Sequence, residues 1–190
     1  MIKYRDSASL KLSPTVVCLG FFDGVHLGHR AIITEGSRIA RQKGLLLCVH
    51  TYDIPPERVL KHTEHVTELT SPLQKTTLLE GLDVEALVVS DFSEQLMHMP
   101  GADFFREILL GRLSAEHIVA GYNHRFGYRG DTGTQELADL CLAAGIGLSI
   151  VPAVLTTDGK AISSTAIRDA LRRGDVVEAE AMLGHREYTR

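Results

Sequence analysis

The sequence predicts an α/β protein built on a mainly parallel sheet with helices on both faces. Short apolar runs (TVVCLG, LLLCVHTY, EALVVS, EHIVAGY and GLSIVPAV) alternate with stretches of helical period, the pattern of parallel strands joined by covering helices. The first run ends in a Gly-rich turn that opens onto a helical stretch. The length of 190 residues suits a continuous hydrophobic core, so residues 1–190 are expected to form a single domain.

The elements follow in order. After the strand TVVCL, HRAIITEGSRIARQKG has Ile32, Ile33, Ile39 and Ala40 on one helical face, with Arg30, Arg38, Arg41 and Lys43 pointing outward. Gly44 sits where a helix C-cap belongs, and the next strand starts at Leu45. The segment YDIPPERVLKHTEHVTELTSP has little periodicity and predicts a surface excursion or flap over about 52–70. Ser71 and Gln74 form a capping pair around Pro72 for a helix through Leu82. A helix over 101–113, a strand to Gly121, a helix over 134–144 and a strand over 147–151 repeat the pattern. Two short helices, Ser164 to Arg173 and Asp175 to Leu183, close it; Gly174 separates them, and together they span about 164–184.

Composition narrows the function. A net charge of −4 and a pI near 6.1 give no global attraction to nucleic acid or anionic lipid, so any phosphate binding must come from local geometry. Cys18, Cys48 and Cys141 are odd in number and set among apolar residues, which suits reduced core thiols in a cytoplasmic protein. No run approaches the ~18 apolar residues of a membrane span.

The stretch GFFDGVHLGHR, residues 20 to 30, carries the chemistry. A strand ending at Leu19, a Gly-rich turn and a helix from Leu27 or Gly28 offer free amides and a positive helix end to a phosphate. Gly24 and Gly28 would let the backbone approach a ligand. His26 and His29, three residues apart, can point at one polyphosphate. Neither GxxxxGK[ST] nor GxGxxG occurs. A zinc site is the competing reading of the two histidines, but no third ligand stands at zincin spacing. His62 and His65 share the spacing within the polar excursion and read as solvated surface residues. Asp23 suits a turn or helix cap as well as a ligand role.

HLGH at 26–29 resembles the HxGH signature of the nucleotidylyltransferase superfamily, and ISSTAIRDAL at 162–171 resembles its ISSTxIR segment. With TYD at 51–53, LTSPLQK at 69–75, GYNHRFGYRGDTGT at 121–134 and GDVVEAEAMLG at 174–184, the order is similar to the adenylyltransferase module of bacterial bifunctional riboflavin kinase/FAD synthetases. The resemblance covers about residues 14 to 188. It implies a Rossmann-like three-layer α/β/α nucleotidylyltransferase fold and a reaction, FMN plus ATP to FAD and pyrophosphate, assisted by Mg²⁺. By position it implies His26, His29 and Arg168 as catalytic residues. Gly20, Phe22, Asp23, Gly24, Gly28, Asn123, Arg125, Ser163, Ser164 and Thr165 would bind the nucleotide. Thr51, Asp53, Pro55, Thr70 and Lys75 would shape the flavin pocket. No metal ligand is assigned.

Three departures bear on the acceptor. Phe21 stands where the family often has Asn, Ile54-Pro55 replaces the usual Pro-His, and Asn123-His124 replaces Asp-Phe. The sequence ends after GHREYTR, where bifunctional members continue into a riboflavin kinase, so we expect no riboflavin phosphorylation: either a separate kinase supplies FMN, or the chain is an excised or degenerate module, or the acceptor differs. Transfer to another phosphorylated acceptor and a non-catalytic flavin or nucleotide sensor remain the alternatives.

Overall fold

The computed structural model describes residues 1–55, 58 and 67–186. His62, His65 and most of the expected flap lie outside the described residues. Among the described residues six parallel strands form one sheet in the order β1-β4-β3-β2-β5-β6: β1 (Ile2–Arg5), β2 (Thr15–Leu19), β3 (Leu46–Tyr52), β4 (Ala86–Ser90), β5 (Ala115–Gly121) and β6 (Gly147–Val151). The chain winds from β2 outward through β3 to β4, then returns to the other side of β2 for β5 and β6. The order therefore reverses between β2 and β5, the place where open α/β sheets bind ligands beyond the strand ends.

The central strand β2 is buried along its whole length, as a continuous apolar run in a covered parallel sheet must be. Its side chains alternate between two cores. Val16 and Cys18 pack with Ile32, Ile33 and Ile39 of α1 (Leu27–Lys43) and with Leu79 of α2 (Pro72–Glu80). Val17 and Leu19 face Phe104, Phe105 and Leu109 on the other side, together with Leu137 and Cys141 of α5 (Thr134–Ala144). A third cluster joins α6 (Ser164–Arg172) and α7 (Val176–Leu183) to Leu69 through Ile167, Ala170, Met182 and Leu183.

The local signals agree with the structure at most helix ends. Gly44 adopts a left-handed φ of 67° and closes α1 by donating its N–H to the Ala40 carbonyl. Ser71 and Gln74 form a reciprocal capping box with Pro72 opening α2. Arg30 differs from the expected outward direction: it is half-buried and its Nε donates to the Val25 carbonyl at 3.2 Å. An edge strand and a one-turn helix lie outside the sequence expectation. β1 pairs with β4, Ile2 opposite Ala86; being a four-residue edge strand of mixed polarity, it carries no apolar run. α3 (Glu94–Met97) is a single turn capped by Ser93. The helix expected over 101–113 forms as α4, Gly101–Asp103 continuing as a π-helical stretch over Phe104–Arg112.

Candidate functional site

The loop between β2 and α1 is bent by left-handed residues: φ is 56° at Phe22, 77° at Gly24 and 40° at Val25. For non-glycine residues, and above all for β-branched Val25, this conformation costs on the order of 1–3 kcal/mol and persists only where neighbours hold it. Here the neighbours are specific. Asp23, 3% exposed, accepts the Leu69 and Thr70 amides at 2.8 and 3.3 Å on Oδ1. Its Oδ2 takes an N–H of Arg168 at 2.9 Å. Gly24 donates to the Thr70 hydroxyl at 3.1 Å and accepts from His185 at 2.9 Å, and Ser164 donates to the Asp23 carbonyl at 3.1 Å.

Phe22 consequently turns inward. It is fully buried, in the core that contains Ile32 and Val49, with its ring centroid 5.1 Å from that of His29. Phe22 and Gly24, expected among the nucleotide contacts, are buried and do not border the cleft. A side chain at Gly24 would stand 2.9 Å from Leu69 and 3.0 Å from Leu183.

His26 and His29 stack, with centroids 3.7 Å apart and planes 20° from parallel. His26 is the N-cap of α1: its Nδ1 accepts the His29 amide at 3.3 Å. That bond leaves the ring proton of neutral His26 on Nε2, available as a donor. Gly28 makes room for this ring, since a Cβ there would lie 3.1 Å from His26 Cε1; its absent side chain serves the imidazole first. Burial, assisted by Arg168, pushes His26 down to about 4. Burial, with His26 and Lys75 adding to it, holds His29 well below the ordinary imidazole value. Both rings are neutral at pH 7. His29 Nδ1 is buried without a hydrogen-bond partner, a cost of roughly 1–3 kcal/mol unless a group from outside the protein meets it.

Facing the pair is the start of α6. The Ser163 hydroxyl accepts the Ala166 amide at 3.2 Å, and the Ser164 hydroxyl is committed to Asp23. The hydroxyl protons of Ser163 and Thr165 remain for the expected contacts, and the first-turn amides of Ser164 and Thr165 remain outside the helix's own bonding. Arg168 stands one turn on, only 16% exposed and paired with Asp23. Burial raises the Asp23 carboxyl above its ordinary value, and the Leu69 amide, Arg168, the Thr70 amide and Lys75 oppose that rise.

These groups line a cleft of about 400 Å³ at the carboxyl ends of β2, β5 and β6, bordered by Gly20, Asp23, His26, Gly28, His29, Asn123, Arg125, Ser163, Ser164, Thr165 and Arg168. Asn123 is exposed at its edge. Arg125 is held by a bond from its Nε to the Gly130 carbonyl at 2.9 Å. Tyr52 and Arg125 also border a second cleft of about 440 Å³, walled by Phe92, Phe104 and Phe126. No sequence signal points to this aromatic cleft, because its rings come from four separated segments.

Of the expected flavin residues, only Pro55 borders the first cleft. Thr51 and Lys75 both donate to the Phe21 carbonyl, at 2.8 and 3.0 Å. Thr70 supports Gly24, and Asp53 accepts the Ile54 and Phe92 amides, each at 2.9 Å. Their polar groups are used in shaping the walls. Burial pushes the Cys48 thiol up to about 12 and the Cys141 thiol up to about 11, so neither offers a thiolate nucleophile. Among the described residues no three His, Cys, Asp or Glu side chains gather to hold a metal ion.

Residues 9–166 match the FAD synthetase family. The chain belongs to that family. It is 37% identical over 171 residues to the bifunctional riboflavin kinase/FMN adenylyltransferase of Bacillus subtilis (strain 168), covering 90% of this chain and 53% of that protein. Against an FAD synthetase of Listeria monocytogenes it is 34% identical over 174 residues, covering 91% and 70% respectively. Against a putative bifunctional riboflavin kinase/FMN adenylyltransferase of Geobacillus thermodenitrificans it is 33% identical over 181 residues, covering 95% and 96%. The chain spans about half the length of the B. subtilis relative. A crystal structure described as a macrolide-efflux protein from Streptococcus pneumoniae superposes with a TM-score of 0.86 at 28% identity, covering 97% of this chain and 60% of that one. The shared fold is the expected parallel α/β nucleotidylyltransferase arrangement. In this chain residues of HLGH and of ISSTAIR border one cleft.

Proposed function

We propose that this FAD synthetase family member transfers AMP from ATP to FMN, giving FAD and pyrophosphate. An FMN phosphate oxygen forms a new bond to the α-phosphorus while the bond from that phosphorus to the bridging oxygen breaks, and pyrophosphate leaves with the bonding electrons. The nucleophile is already ionised at neutral pH, so catalysis reduces to alignment and charge stabilisation.

The observation that carries this reading is the pairing of two neutral, stacked imidazoles with a helix N-terminus and Arg168 around one cleft. His26 Nε2–H and His29 would donate to the triphosphate, and the amides of Ser164 and Thr165 would receive phosphate oxygens. Arg168 would hold charge on the leaving group, and Asn123 would contact the phosphates. The adjoining aromatic cleft suits a planar ring such as the flavin. Mg²⁺, when bound, supplies charge neutralisation on the triphosphate; the described residues offer no carboxylate cluster for it, and no step is assigned to it. Among the described residues no helix is long and apolar enough to cross a membrane. With its three buried free thiols, we place the protein in the cytoplasm.

The test is chromatographic. Purified protein with Mg-ATP and FMN is expected to yield FAD and pyrophosphate in equal amounts. Folded protein that makes neither would refute the reading, whereas pyrophosphate release with a different phosphorylated acceptor would keep the chemistry and change the substrate.

A further inference from the structure

Phe21 is the residue of the cleft wall whose surroundings the proposed activity does not yet explain. It borders the reaction cleft together with Tyr52 and Pro55. Its carbonyl receives two donors from two other elements, Thr51 Oγ1 at the end of β3 and Lys75 Nζ on α2. The Lys75 ammonium also lies 3.8 Å from the centroid of the Phe21 ring, so one lysine grips both the backbone and the side chain of residue 21. Lys75 is 6% exposed. An ammonium is costly to bury, and here its nearby charge partners are Asp23 and Glu68.

The surrounding backbone agrees with this. The left-handed turn at Phe22 accompanies the burial of that ring in the core, while residue 21 borders the cleft. β2 and β3 run in register with Leu19 opposite His50, so the continuation past both strand ends brings residue 21 alongside Tyr52. Tyr52 is shared with the aromatic cleft, which puts Phe21 on the side of the reaction cleft that opens towards that second cavity. With a cation against it, the ring is a fixed apolar wall that attracts a planar or electron-rich group and disfavours a cationic one.

Resting on the adenylyl-transfer reading above, we infer that Phe21 selects the acceptor by contact, and that Lys75 is a positioning residue that acts through it. The nucleotide is held elsewhere, by the histidines and α6.

The experiment uses the whole chain and two separate equilibria. FMN binding is followed by quenching of flavin fluorescence in the presence of α,β-methylene-ATP, and binding of that analogue alone is followed by calorimetry. F21A is expected to weaken FMN by ~10-fold, the order of one aromatic contact, with analogue affinity unchanged and the melting temperature only modestly lowered by the lost cation–π contact. K75M is expected to weaken FMN in the same direction, with K75R restoring it; a purely structural lysine would lower both affinities together. Unchanged FMN affinity in F21A, or a parallel loss of analogue binding, overturns the inference alone. Wild-type protein that binds the analogue but no FMN overturns the FMN reading and this inference with it.

Discussion

The carboxylate of Asp23 and the guanidinium of Arg168 meet at 2.9 Å across 145 residues of chain. Asp23 sits in the strained turn after β2, and Arg168 one turn into α6, so the pair fixes the two halves of the candidate phosphate site relative to one another. D23A removes the carboxylate partner of a largely buried arginine and two acceptor bonds to the Leu69 and Thr70 amides. We expect a loss of roughly 3–5 kcal/mol in unfolding free energy, the range for breaking a buried pair, read from urea midpoints. D23N, which keeps an acceptor for the amides, should lose less stability but still lower turnover. Equal stability in D23A and wild type would contradict the role of the pair as a tie.

The two histidines should separate by variant chemistry. H29A removes a ring without a capping function, so turnover is expected to fall by ~10²-fold or more with stability little changed, as for loss of one transition-state donor. His26 also caps α1 through Nδ1. H26A should therefore lose turnover together with about 1 kcal/mol of stability, whereas H26N should recover the cap and not the turnover. Initial rates and urea midpoints on the three variants decide it. Full activity in H29A would remove it from the catalytic set.

How far the sequence foretells this site depends on the range of the forces involved. The helix starts at Ser71 and Ser163 and the stop at Gly44 are legible because capping is local chemistry. HLGH and ISSTAIR point to residues that do share a cleft. For Asp23 the sequence allows both a cap and a ligand; its partners Leu69, Thr70 and Arg168 lie 46, 47 and 145 residues away, a distance over which periodicity carries no information. For the same reason the bonds of Thr70 and Lys75, expected at the flavin, to Gly24 and Phe21 are not legible in the sequence. β1 escapes the pattern because a short edge strand need not be apolar.

The capping box at Ser71 bears on α2, which carries Lys75. S71A removes the acceptor for the Gln74 amide and is expected to cost about 1 kcal/mol, measured as a lowered urea midpoint. S71D, which retains an acceptor at the same position, should recover most of it. If S71A matched wild type, the start of α2 would be held by its tertiary contacts alone.

Stability should fall in mild acid, and the direction follows from the buried histidines. Burial pushes His26 and His50 each from the ordinary 6.5 down to about 4. The His50 ring is 2% exposed and bonds Ser90 Oγ at 2.8 Å. Above pH 6.5 these rings are neutral in both folded and unfolded chains and contribute no slope. Between 6.5 and 4 the unfolded chain binds protons that the folded chain refuses, so stability declines as pH falls, and the decline levels off once the folded rings titrate near 4. With about 1.4 kcal/mol for every tenfold change in proton affinity, each ring contributes on the order of 3 kcal/mol across that window. Urea midpoints measured from pH 8 to pH 4 should show the slope, and H50N should flatten it by about one ring's share, because asparagine does not titrate. A profile of equal slope in H50N and wild type would mean that His50 takes up its proton as readily in the folded protein as in the unfolded chain, with the charge accommodated by the Ser90 hydroxyl and Asp6 beyond it.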